Sequence, residues 1–491
     1  MTRRAALQGI TIASAAGVGA ALLAACGGSG AISASISSAA VTPSTTATRG
    51  TATSAAPTTA QTAATTASAV STISSMGTSA ASAAANGTGK GLTLTYISPD
   101  NQGRHDAESA IFADFTKANP GISVEILSGG TSWDTTKVKF LANFASGQPV
   151  NLYESGFGFW VDVQAAIMEY SSLMARDKLA PKDIFLPPAL DAWTDDAGKL
   201  WALPVVGLSQ DALAYNQDLF DAAGLPYPPI DPNDASWTME HFLESAQKLT
   251  KPDQLQFGFG GTVGGFDGGG MTRGTFFGQG PWDATTQKAQ MDQPGQVQGL
   301  QFFKDLRDKY KVQPNADQKT AIGAKGDIFT SGKIGMQVIY GYVPKQTFRW
   351  GLAALPHNGS QNVSGRQAAT PLMGTKTAYS EQTWTLLKWL MVPANAARFP
   401  LSAQYAVSPV VGASAISEQA YQESVGVDPK AFELMAAHSH ASAWAMSKQV
   451  GYPSVRDWLT KNFTAFDQGQ QSASDWGKEA TAYIDANLLK A

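Results

Sequence analysis

The sequence predicts an α/β protein of two lobes, on three observations. Residues Leu92 to Tyr153 read strand, helix, strand, helix, strand, the pattern of a parallel sheet. Roughly 400 residues follow the first aromatic side chain, Tyr96, too many for one core and enough for two. Twelve Trp, thirteen Tyr and twenty-two Phe supply side chains for both cores and for a site between them.

The elements follow from local patterning. Leu92, Leu94 and Tyr96 alternate with Thr93 and Thr95 as a strand. Ala107, Ala110, Ile111 and Phe115 stand at helical spacing within Asp106 to Ala118, and Asn119-Pro120-Gly121 stops that helix. Ile122, Val124 and Ile126 make a second strand, Lys137 to Ala145 a second helix ended by Ser146-Gly147, and Val150 to Tyr153 a third strand. Asp195-Asp196-Ala197-Gly198 is turn chemistry leading into an expected strand, Leu200 to Val206. Asn216 to Ala223 reads as a short amphipathic helix broken by Gly224 and Pro226. Thr238 is an N-cap for a helix burying Phe242, Ala246 and Leu249. Phe329 to Met336 joins a turn at Ser331-Gly332 to an apolar strand. Trp384, Leu387 and Leu390 or Met391 share one side of a helix ending near Pro393.

Before the folded part, Arg3 and Arg4 precede the apolar run Ile10 to Leu23, which is too short and too rich in Ala and Gly for a membrane span. A charged start, an apolar run and small residues form an export signal, residues 1–25. Thr2 to Gln8 resembles a twin-arginine signal, with Sec export the alternative. Leu23-Ala24-Ala25-Cys26 resembles a bacterial lipobox, so the single cysteine of the chain is expected to be the lipidation site. Acyl chains there hold a protein at a membrane at about 0.8 kcal/mol per buried CH₂. From Gly27 to Gly89 the chain is mostly Ala, Ser, Thr and Gly with Arg49 the sole charge, so residues 26–90 are expected to be a disordered tether reaching roughly 45 Å.

Six segments in order carry a family resemblance: "FADFTKANPGISVEIL", "KFLANFASGQPVNLYES", "GKLWALPVVGLSQDALAYNQDLFDAAGLPYPP", "SWTMEHFLESAQKLT", "FTSGKIGMQVIYGYV" and "WGLAALPHNG". Together they resemble the extracellular solute-binding proteins of ABC importers, in the group that includes maltose-binding protein. The resemblance runs from about Leu92 to about Leu489. It implies the two-lobed periplasmic-binding-protein-like fold of type II, two α/β sheets joined by a hinge with several chain crossings. Carried onto this chain, the first lobe is 91–207 plus 356–393 and the second is 208–355 plus 394–491, with Gly207 to Gln210 and Leu355-Pro356 as hinge candidates. It further implies a monomeric, extracytoplasmic, lipid-anchored receptor that takes a mono- or oligosaccharide to the membrane subunits of an ABC permease. No cofactor and no metal are expected.

Sugar recognition needs aromatic faces for C–H groups and planar polar groups for hydroxyls. In parallel sheets ligands collect at loops leaving the strands' carboxyl ends. Those loops carry Asp100, Asn101 and Arg104; then Trp133; then Glu154, Phe157, Phe159 and Trp160. The second lobe offers Phe266, Asp267 and Trp282 in or after a glycine-rich stretch, and Tyr340 and Tyr342 beyond the strand at Met336, where relatives often carry Gly, a variable residue and Trp. Arg366 and Trp444 complete the candidates. Trp133, Trp282 and Tyr342 rank first. Trp193, Trp201, Trp384, Trp389 and Trp458 lie inside apolar patterns and are expected to pack. Relatives commonly have Pro-Asp where this chain has Val150-Asn151, which points to a structural role for Asn151 at the strand entrance.

The competing class is a surface-anchored carbohydrate-active hydrolase, which also uses aromatics and paired carboxylates. Asp195-Asp196 sit adjacent in a turn, and no Gly-x-Ser-x-Gly, Walker A or His-Glu-x-x-His occurs. The glycines of Gly258 to Gly270 do not fit a dinucleotide fingerprint. His438 and His440, two apart on a helix, point in different directions. A net charge of −4 without a basic stripe argues against nucleic acid. An adhesive protein would show repeats, and the folded part has none.

Overall fold

The computed structural model describes residues 91–488, apart from 149, 157–159, 192, 262–270, 324–326, 342, 344, 359–365, 376, 403–404, 439–445 and 450. The expected signal, lipidation site Cys26 and tether lie outside the described residues.

The chain opens with β1 (Leu92–Ser98), α1 (Gln102–Ala118), β2 (Ile122–Ser128), α2 (Trp133–Ser146) and β3 (Leu152–Ser155). β1 runs parallel to both β2 and β3, as the alternation predicted. Both helices start earlier than their apolar spacing shows, because polar caps place the first turns: Asn101 accepts from the Arg104 N–H, and Ser132 forms a capping box with Thr135.

Leu200 to Val206 makes only an isolated bridge, Leu200 to Thr194, and the strand β4 begins at Gly207 and runs to Asn216. Pro204 lacks the N–H that a ladder there requires, while its neighbours bury as extended chain. Beyond β4 come α3 (Gln217–Ala223), α4 (Met239–Leu249) capped by Thr238 as expected, and β5 (Phe257–Phe259). The short hairpin β6 (Trp282–Asp283) and β7 (Lys288–Ala289) precedes α5 (Pro294–Asp308). Then follow β8 (Ile334–Tyr340), β9 (Trp350–Ala353), β10 (Arg366–Met373) and α6 (Ser380–Leu390). The turn into β8 is closed by Gly332 at φ 70°, a conformation that suits glycine.

The main sheet has the order β2-β1-β3-β10-β4-β8-β5, with β9 also paired to β4. Two strands belong to both halves. β10 pairs with β3 through Thr370–Met373 and with β4 through Arg366–Ala369. β4 pairs with β10 through Gly207–Gln210, then with β8 and β9 through Asp211–Asn216. The hinge candidate Gly207 to Gln210 is therefore ordered ladder, where one half hands over to the other. A Cβ on Gly207 would stand 2.1 Å from the Tyr405 ring, so only glycine lets that ring close over the crossing.

One expected boundary needs correction. Residues from 394 onward were expected in the second lobe, but the first part of that segment packs on the first half. Arg398 pairs with Asp114 of α1, the Phe399 ring meets Phe112 at 6.0 Å, and Val407 and Val410 bridge Leu208 and Phe185. Phe399, Val407 and Val410 bury in the same apolar cluster as Phe112 and Phe115, which holds the segment there. Beyond α7 (Ser414–Val425) and α8 (Lys430–His438), the chain turns to the second half. There α9 (Tyr452–Asp467) and α10 (Ala473–Asn487) share a separate cluster with Met291 and Leu300.

Candidate functional site at the strand ends

The register shows where a ligand has access to loops of both halves. In the first half, the carboxyl end of β3 meets β10 at Ser155–Thr370, one residue from the crossing segment. In the second, the carboxyl end of β8 meets β4 at Tyr340–Asp211, directly after it. β1 and β2 run parallel to β3, and β5 parallel to β8. All five parallel strands therefore send their carboxyl-end loops toward the crossing, from both sides. That is the position where open α/β sheets bind ligands.

In the first half, two loops are tied to each other. The Asp100 N–H donates to Gly130 O, and the Gly129 N–H to Ser98 O. A Cβ on Gly129 would lie 2.6 Å from the Ser98 oxygen, so the approach needs glycine. Asp100 and Asn101 are exposed on this rim, Asn101 as the cap of α1. Trp133, the first residue of α2, lies half-buried across Gly156, where a Cβ would stand 2.6 Å from the indole. Gly156 thus seats the Trp133 ring at the end of β3.

Arg104 and Glu154, both expected near the ligand, are joined to each other below the rim. One guanidinium nitrogen of Arg104 donates to both Glu154 oxygens, and Nε donates to Glu108 Oε1 at 2.8 Å. Tyr96 donates its hydroxyl to Glu154 at 2.7 Å and Ser98 to Glu108 at 3.2 Å. The group is buried, with Arg104 8% and both carboxylates 0% exposed. Burial works against the Arg104 charge, but Glu154 and Glu108 outweigh it and hold the guanidinium more strongly protonated than usual. Burial raises the Glu108 carboxyl from 4.5 to about 7, with Arg104 opposing and Glu154 adding to the rise. Burial likewise raises the Tyr96 hydroxyl, and Glu154 adds to it.

The remaining candidates scatter. Trp160 is 2% exposed and its ring stacks on Trp201 at 6.1 Å. Trp282 is 4% exposed, packed among Met271, Met291 and Leu300 in the third apolar cluster. Both rings are buried in apolar clusters rather than set at the rim. Tyr340 ends β8 opposite Asp211, and Arg366 begins β10 opposite Gln210. Phe157, Phe159, Phe266, Asp267, Tyr342 and Trp444 lie outside the described residues. Asn151 is structural, as expected: its side chain accepts from the Thr95 N–H at 2.9 Å and donates to Ala378 O at 2.6 Å.

Two polar residues near the crossing carried no motif. Asp211 is buried immediately after the crossing segment of β4. Gln337 on β8 is buried against Gly260 and Gly261 at the end of β5, and its amide donates to Asp327 at 2.7 and 2.8 Å. The one available signal was a glutamine inside an otherwise apolar strand, "IGMQVIY". Among the described residues no cluster of three or more His, Cys, Asp or Glu is placed to hold a metal, and no helix is long and apolar enough to cross a membrane.

The model of the bacterial extracellular solute-binding protein family matches residues 101–397, more than half of the chain. This chain belongs to that family. A protein of Brucella abortus (strain 2308), named as a binding protein, is 25% identical over 294 residues, covering 56% of this chain and 66% of its own length. The solute-binding protein also shares its fold with solved structures. An ABC substrate-binding protein of Listeria monocytogenes in complex with cycloalternan superposes with TM-score 0.67 at 19% identity, over 81% of this chain and 99% of that one. Maltose-bound MalE3 of T. maritima gives 0.64 at 18% identity, over 81% and 100%. The fold is that of two-lobed substrate-binding proteins, and these relatives are binding proteins rather than enzymes. The two-lobed fold is built here from two halves that share β4 and β10.

Proposed function

We propose that this solute-binding protein is the receptor of an ABC importer, taking a sugar or polyol between its lobes and passing it to the permease. The observation that carries the reading is the convergence of five parallel-strand ends on the two crossing strands, which gives a solute access to both lobes at the hinge. Proteins of the same fold were solved with cycloalternan, maltose, α-D-tagatose and ribitol, all uncharged polyhydroxyl compounds. Trp133, seated on Gly156, supplies an aromatic face at the first-lobe rim, and Asp100 and Asn101 supply polar edges. Anchoring through Cys26, with 26–90 as a tether, places the receptor outside the cytoplasm at the membrane surface; the lipobox spacing and the single cysteine support it.

The test is a thermal-shift and calorimetric panel of maltose, maltotriose, tagatose, ribitol and mannitol. Saturable binding below about 10 μM, worth roughly 7 kcal/mol, with the sugar recovered unchanged supports the receptor. Absence of binding across sugars and polyols removes it. For the anchor, Cys26→Ser is expected to move the protein out of the membrane fraction with affinity unchanged.

A further inference from the structure

Gln337, on β8 of the second half, uses one end of its side-chain amide and leaves the other without a partner. The residue is only 6% exposed, and its amide nitrogen donates to both Asp327 oxygens, at 2.7 and 2.8 Å. That contact fixes which way the amide faces, because the flipped amide would set its carbonyl oxygen against a carboxylate. Asp327 is itself held, since it accepts from the Phe329 N–H at 2.8 Å and caps the short helix Ile328–Ser331. The remaining amide atom, Oε1, is therefore an acceptor, and it is buried with no hydrogen bond from any described residue. Donors close by are engaged elsewhere: the Gly260 N–H donates to Met336 O and the Gln313 amide to Gly261 O. Buried acceptors in native proteins almost always have a donor, and leaving one unpaired is costly.

The oxygen also lies where a solute has access. Phe259, the last residue of β5, pairs with Met336, the residue before Gln337. Gly260 and Gly261 follow directly and lie against the amide. A Cβ on Gly260 would stand 3.1 Å from Oε1, and one on Gly261 2.8 Å from Cγ. Gln337 thus sits at the carboxyl end of β5, one of the five strand ends that converge on the crossing.

We propose that Gln337 Oε1 accepts a hydrogen bond from a hydroxyl of the bound solute, so that the second half selects for a donor at that point. This deepens the sugar or polyol reading above and rests on it. Gly260 and Gly261 present bare backbone there, which lets a ligand approach closely. An ether, carboxylate or phosphate oxygen brings no proton to Oε1, and an anionic group also meets the Asp327 carboxylate behind the amide. Replacing the hydroxyl by hydrogen leaves the acceptor buried and unpaired, the means by which a polar site discriminates most strongly.

The experiment is calorimetry on the full chain with maltose, maltotriose, tagatose, ribitol, mannitol and singly deoxygenated forms of each. Gln337→Met keeps the reach of the side chain and removes both polar atoms. Gln337→Thr, with a residue that suits a strand, is the second variant, and thermal melts check that each folds. With Gln337 present, one deoxy form of a binding solute is expected to bind about 10- to 100-fold more weakly than its parent. In the variants the parent is expected to lose a similar factor, and that deoxy form to differ from it by less than about 3-fold. Deoxy forms that all bind as tightly as their parents overturn the assignment without any variant. Unchanged parent affinity in the variants overturns it too. So does a deoxy penalty that survives both substitutions, which is what a purely structural glutamine gives. Each of these outcomes leaves the sugar receptor standing and removes Gln337 alone, whereas no binding by any of the parent solutes removes both.

Discussion

The Arg104 guanidinium grips both carboxylate oxygens of Glu154 beneath the first-lobe rim, joining α1 to the carboxyl end of β3. The same arginine reaches Glu108 one helical turn on, so one cation holds two buried acids. Asn101, which lines the rim, caps the helix that carries Arg104 and Glu108.

Arg104→Met is expected to cost about 3–5 kcal/mol, since it leaves two carboxylates buried without their cation. Urea denaturation followed by tryptophan fluorescence measures it. A loss below about 1 kcal/mol would show that the pair is no stronger than a surface contact.

Glu108 makes stability depend on pH. The folded protein keeps a proton there up to about 7, while an unfolded chain releases it near 4.5. This contribution is complete below about 4.5 and is lost as pH rises through about 7. Arg104, Glu154 and Ser98 face the carboxyl directly, and Tyr96 reaches it through Glu154. Glu108→Gln is expected to flatten the decline in denaturation free energy between pH 5 and pH 8, as about those limits bracket the transition.

Gly207→Ala is expected to destabilise by about 1–3 kcal/mol, because its methyl group has no room beneath the Tyr405 ring. Adding Tyr405→Ala removes the obstruction, so the double variant should lose less than the sum of the two single changes in thermal melts.

Gly156→Ala pushes the Trp133 indole off its seat, and Trp133→Ala deletes it. On the receptor reading, both are expected to weaken binding of the sugar found in the panel at least tenfold, about 1.4 kcal/mol. Unchanged affinity in Trp133→Ala would remove that ring from the site.

The elements of the first lobe were legible because their signals are local. Alternation in Leu92 to Tyr96, helical spacing to Phe115 and the stop at Asn119-Pro120-Gly121 depend only on neighbours a few residues apart. Leu200 to Val206 misled because an apolar run reads alike whether it pairs in a ladder or simply buries, and Pro204 decided against the ladder. Arg104, Glu154 and Trp133 were picked out by residue type and loop position. That the first two face each other, and that Gly156 seats the third, are contacts between residues up to fifty apart.

By itself the sequence determined the class of fold and the family, since composition, periodicity and ordered motifs are properties of the chain alone. Tertiary structure alone decided which half holds residues 398–410, which polar groups spend their hydrogen bonds on each other, and that Gly207 lies beneath the Tyr405 ring. The physical reason is distance along the chain. Burial, charge pairing and glycine clearance depend on what folding brings alongside a residue, and no local pattern encodes that partner.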